Sequence, residues 1–160
     1  MEIFKTVQSL TEICDLQAKR LKKALFHLNH LIPFKSTQLS SLSDNELSYL
    51  DMLSTRFAKL QDLLGAKIFP TLLRLMQEYD DKDSGLDRLH KLEKLGILPS
   101  AQEWITMREL RNYVTHDYPD DPELMANNLN KIVQYANTIL PFWEAIKIKI
   151  NNITKDAQNG

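Results

Sequence analysis

Apolar residues in this chain recur at three- and four-residue spacings with polar residues between them, a period that belongs to helices and not to strands. Only four glycines and six prolines interrupt the pattern, so the segments it predicts are long. The first runs from about residue 3 to residue 32, where Val7, Leu10, Cys14, Leu21, Leu25 and Leu28 form one stripe before Pro33 ends it. After a polar stretch over 35–43, Ser43 is followed three residues later by Glu46, the form of a capping box, and a second helix starts there. It carries Leu47, Leu50, Leu53, Phe57, Leu60, Leu64, Ile68, Leu72 and Leu75, with bends expected at Gly65 and Pro70.

The polar residues 80–85 read as a connector, because their carboxylates lack the ligand spacing and the closing glutamate of a calcium loop. A short helix over 86–95 is stopped by Gly96 and Pro99. Ser100, with Glu103 three residues on, caps a fourth helix over 101–116 that buries Trp104, Ile105, Met107 or the Arg108 stem, Leu110 and Val114 until Pro119 disfavours helical geometry at Tyr118. The last helix starts at Asp121, Pro122 and Glu123 and continues through Leu124, Ile132, Val133, Ile139, Leu140, Trp143 and Ile146, with a kink expected at Pro141. Alternation at Ile146, Ile148 and Ile150 would suit a strand, but no other segment offers a pairing partner, so a frayed helix end is expected. The fold class is therefore all-α: an up-and-down antiparallel bundle of four main helices plus one short helix, in a single domain over 1–150, followed by a disordered tail over 151–160.

Composition narrows the function classes. The chain is 43% apolar and 26% charged, as globular domains are, and its formal charge of -1 advertises no broad basic surface. Any contact with nucleic acid must be local. Lys19, Arg20, Lys22 and Lys23 read as the polar face flanking the first apolar stripe. The lone Cys14, among Leu10, Ile13 and Leu16, reads as a buried thiol in a reducing, cytoplasmic setting. Charges interrupt every apolar run near Met1, so neither a signal peptide nor a membrane span is expected. His27 and His30 lie three apart with no third ligand tied to them by spacing, so ordinary polar or packed histidines are expected instead of a metal site. Trp104, Tyr113, Tyr135 and Trp143 sit at helical spacings that serve a core, and no glycine-rich phosphate loop is present. No cofactor and no metal are expected.

Chemistry-bearing groups concentrate over residues 108–118, where the fourth helix ends. Arg111 and Asn112, followed by His116 and Tyr118, resemble the R-x4-H-x-Y signature of the HEPN superfamily, in its HepT-like toxin branch. Residues 56–69 are similar to the second-helix region of such proteins. The resemblance implies a metal-independent endoribonuclease toxin that works as a homodimer, with arginines and histidines of both chains facing one cleft. It also implies a nucleotidyltransferase antitoxin that transfers AMP onto the tyrosine of the motif, here Tyr118.

Under that resemblance, an RNA 2'-hydroxyl attacks the adjacent phosphorus, leaving a cyclic phosphate and a 5'-hydroxyl. His116 exchanges the protons near neutral pH, and Arg111 grips the phosphate through a bidentate, permanently charged fork. Asn112 and Asp117 are supporting residues, Asn112 because it precedes His116 by four residues on the same helix face. Arg111 and His116 fall about 140° apart on an ideal helix, so the cleft is expected to close across a dimer axis. AMP on Tyr118 would set charge and bulk beside His116 and repel RNA. Other readings stay open: a non-catalytic helical module that binds a nucleotidyltransferase, and a structural dimer that keeps the motif only for packing; Arg111 and His116 at a helix end can also simply cap carbonyls.

Overall fold

The computed structural model describes residues 2–114 and 121–160, and the side chains of 2–111 and 121–160. Helix α1 (Glu2–Leu28) buries Val7, Cys14, Gln17, Ala18, Leu21, Ala24 and Leu28. Leu10 and Leu25 sit at the margin of that stripe and are partly buried. A 3-10 turn, Asn29–Leu31, closes α1 ahead of Pro33. The polar stretch that follows contains one helical turn absent from the periodicity, α2 (Ser36–Leu39), whose Gln38 side chain accepts from the Lys35 N–H at 3.2 Å. Phe34 is buried, and its backbone is clasped by the Asn130 side-chain amide through bonds of 2.7 and 2.9 Å.

The Ser43 capping box forms as read: the Glu46 N–H donates to Ser43 Oγ at 3.1 Å and the Ser43 N–H to Glu46 Oε1 at 2.9 Å. It starts α3 (Asp44–Leu63), which continues through a π-helical stretch, Leu64–Ile68, into α4 (Phe69–Leu75). The expected bends at Gly65 and Pro70 take the form of this wider turn. The Phe69 N–H bonds to the Leu64 carbonyl five residues back. Pro70 has no N–H to give, and the Thr71 hydroxyl donates to the Lys67 carbonyl at 2.7 Å. Helix α4 ends with Gln77 at φ 59°, where the Glu78 N–H reaches the Leu73 carbonyl.

A second capping box, Ser84 with Asp87, opens α5 (Gly85–Lys94). Gly96 closes it at φ 76°, with the Ile97 N–H on the Leu92 carbonyl. Helix α6 (Ala101–Val114) is capped by Ser100, whose Oγ accepts the Glu103 N–H at 3.1 Å. Asp121 caps α7 (Pro122–Asn159) through the Leu124 N–H at 3.0 Å, and Pro141 lies inside that helix without ending it.

Side-chain pairings fix the directions. His27 meets Tyr49 and Gln17 meets Arg56, so α1 and α3 run antiparallel. Phe34 meets Asn130 and Asp15 meets Trp143, so α7 runs against α1. Trp104 meets Phe69 and Arg111 meets Asp62, so α6 runs against the α3–α4 rod. One hydrophobic cluster joins all of them, with Trp143, Phe57, Phe69, Leu21 and Leu53 among its fully buried members. Each such side chain contributes about 1.5–3 kcal/mol by leaving water. The described residues form an all-helical bundle, and no helix among them is long and apolar enough to cross a membrane.

One expectation holds and extends further than read, and one changes. The alternating isoleucines belong to α7: Ile146 and Ile150 are buried while Ile148 is 59% exposed. The stretch from Asn151 onward, expected as a disordered tail, is helical through Asn159. Ile153 packs against the core three residues beyond Ile150, and the Thr154 hydroxyl donates to the Ile150 carbonyl at 3.0 Å, so the stripe and its backbone continue past the expected end.

Candidate functional site

Helix α6 is held by one face. Ala101, Trp104, Met107 and Leu110 recur every three residues and are all buried, with Trp104 tilted against Phe69 at 4.8 Å and Phe142 at 5.9 Å. Arg111 follows Leu110 at the edge of that stripe, which sets its stem against the bundle and leaves its side chain 31% exposed. Arg108 and Glu109 point to solvent.

The guanidinium of Arg111 crosses to α3, where Nη1 lies 2.7 Å from Asp62 Oδ1. Its Nε is buried and makes no hydrogen bond among the described residues. One carboxylate oxygen thus fixes the orientation of the arginine, and solvent reaches about a third of the side chain. A half-exposed pair of this kind is worth about 0–1 kcal/mol, so an incoming phosphate can compete with Asp62 or share the guanidinium with it. The last turn of α6, where Arg111 sits, is also the favourable end of the helix dipole for a cation.

The segment 56–69 divides its work. Phe57, Leu60, Leu64, Ile68 and Phe69 are core, Arg56 donates to the buried Gln17 of α1 at 3.0 Å, and Asp62 meets Arg111. The structure therefore brings this segment and the motif helix together through a residue that sequence reading passed over. Nothing local marks Asp62, since its partner lies three helices away in the chain. Asn112 lies on α6, but its side chain falls outside the described residues, as do His116, Asp117 and Tyr118.

The other candidates resolve into structural roles. His27 stacks on Tyr49 at 4.2 Å and His30 bonds to Glu46 at 2.9 Å, so each has its own partner. Trp104 and Trp143 are core, the latter donating its Nε1–H to Asp15 Oδ1 at 2.8 Å. Tyr135 packs against the same core. Cys14 is fully buried, and burial pushes its thiol up to about 12, far from a nucleophile at neutral pH. In the acidic connector, Asp83 pairs with Lys91 at 2.6 Å. An apolar groove of about 390 Å³ opens between α6, α7 and the chain before α6, floored by Leu98, Trp104, Met107, Ile139 and Phe142. It does not include Arg111.

No protein-family model, curated protein or solved structure matches this chain.

Proposed function

We propose that this chain is a HEPN-type, HepT-like metal-independent endoribonuclease toxin, acting as a homodimer and restrained by a nucleotidyltransferase antitoxin. The observation that carries the reading is the Arg111–Asp62 pair. It ties the motif helix to the second segment on which the resemblance rests, and it presents a partly exposed arginine fixed in orientation. The all-helical bundle is the class of fold the reading requires.

In this reaction the RNA 2'-hydroxyl loses its proton to one His116 and its oxygen bonds to phosphorus. The bond to the 5'-oxygen breaks, and the second histidine of the dimer protonates that oxygen. Arg111 balances the negative charge that builds on the phosphoryl oxygens. AMP transferred to Tyr118 then blocks the cleft by charge and bulk.

A second reading, a non-catalytic module that partners a nucleotidyltransferase, is favoured by the open apolar groove on α6. The two are separated by incubating the wild type and His116→Ala, matched in fold and in dimerisation, with cellular RNA in EDTA. Cleavage by the wild type alone, leaving cyclic phosphate ends, is the expected outcome. Cleavage by neither protein would overturn the ribonuclease reading in favour of the second.

A further inference from the structure

Lys19, Lys22, Lys23 and Phe26 stand at intervals of three, four and seven residues from Lys19, so they share one stripe along α1. All four are exposed. The three lysines take no part in the ion pairs formed among the described residues. Phe26 is 77% exposed, the most exposed large apolar side chain among the described residues. Its ring meets His27 edge-on at 5.3 Å, and His27 in turn lies flat on Tyr49 at 4.2 Å with 9° between the planes. A phenyl ring largely in water, met edge-on by His27 and flanked along the helix by three exposed lysines, has the two elements that single-stranded nucleic acid binds: a stacking platform and a row of cations. An acidic peptide would answer the lysines but offers no repeating planar group for Phe26.

The stripe lies on the exposed side of α1, whereas Arg111 stands on α6 beside Asp62 near the C-terminal end of α3. His30 ties the end of α1 to the start of α3 through Glu46. Helix α6 advances toward that same end of the bundle, from Trp104 beside Phe69 to Arg111 beside Asp62.

We propose that Lys19, Lys22, Lys23 and Phe26 form a sequence-tolerant docking surface for single-stranded RNA, separate from Arg111. It rests on the ribonuclease reading for the identity of the strand, while its test reads binding alone.

The test is fluorescence polarisation of the full chain with a labelled 2'-O-methyl oligouridine of about 12 nucleotides, a usual site size, which has no free 2'-hydroxyl to attack. The triple variant Lys19→Gln, Lys22→Gln, Lys23→Gln is expected to weaken binding about tenfold or more and to flatten the dependence of log affinity on log salt by about 2. Phe26→Ala is expected to weaken binding about fivefold or more with the salt dependence unchanged, and Phe26→Trp to retain it. Wild-type affinity in both the triple variant and Phe26→Ala overturns the proposal, as does displacement by polyglutamate as effective as by oligouridine, which would assign the stripe to an acidic protein. Unmodified RNA separates the two readings. A wild type that binds through the stripe and does not cut sinks only the ribonuclease. One that cuts while the stripe variants bind and cut normally sinks only the docking surface.

Discussion

Arg111 Nη1 lies 2.7 Å from Asp62 Oδ1, and this pair joins the last turn of α6 to the last turn of α3. Both side chains are partly exposed, at 31% and 45%, so the pair does more to orient the guanidinium than to hold the fold. Asp62→Asn and Arg111→Lys are each expected to change stability by no more than about 1 kcal/mol in urea unfolding. Cyclic phosphate formation from RNA should fall by about 100-fold or more for Arg111→Lys, because lysine cannot make the bidentate fork. Asp62→Asn should give a smaller loss, seen in the same assay.

Asp15 carries a different load. Its Oδ1 accepts from Trp143 Nε1 at 2.8 Å and from Lys147 Nζ at 2.9 Å. Trp143 is fully buried, so Asp15→Ala leaves an indole N–H without its partner and is expected to cost about 1–3 kcal/mol. Lys147→Ala, which leaves the Trp143–Asp15 bond in place, is expected to cost about 0–1 kcal/mol. Urea midpoints of the two variants check the order.

The capping boxes set a pH dependence. The Ser43 N–H, followed by the His30 and Ser43 side chains, holds the Glu46 carboxyl below its usual 4.5, and the Ser84 N–H and hydroxyl hold Asp87 below 3.8. A carboxylate with a lowered folded-state value favours folding when ionised. Its contribution is therefore complete above those usual values and is lost as pH falls through the lower folded-state ones. Unfolding midpoints of the wild type should start to drop as pH falls below about 4.5. The double variant Glu46→Gln, Asp87→Asn should start less stable at pH 7 and show a shallower acid limb.

Two helix ends use left-handed backbone, one with the residue suited to it and one without. Gln77→Gly at φ 59° is expected to raise stability by about 0.5–1 kcal/mol, and Gly96→Ala at φ 76° to lower it by about 1 kcal/mol. Thermal unfolding of the pair tests both signs.

What could be read in advance was local. Ser43 and Glu46, Ser100 and Glu103, and the stop at Gly96 each act within one or two turns, and each stands where the sequence places it. The apolar stripes of α1 and α7 are legible for the same reason, since one helix face decides them. The turn α2 escaped notice because it buries no residue, and the helical end of α7 because one further isoleucine outweighed a polar composition. Asp62 escaped because an ion pair between distant helices leaves no spacing to detect. Arg111 could be nominated from its motif, but its partner needed the packing of α6 on α3.

The π-helical stretch Leu64–Ile68 has a genetic consequence. A π turn holds one more residue than the α turn it replaces, so the α3–α4 rod behaves as a straight helix into which a single codon has been inserted. Deleting the Ala66 codon would close the wide turn into an ordinary α turn and leave the two flanks close to their present phase. Asp62 and the buried trio of Phe69, Leu72 and Leu73 would each keep their side of the rod. In-frame single-residue deletions should accordingly be tolerated at 64–68 and rejected within the regular turns of α3, where each would rotate the following buried face by about 100°, a contrast that a deletion scan scored for soluble protein would display directly.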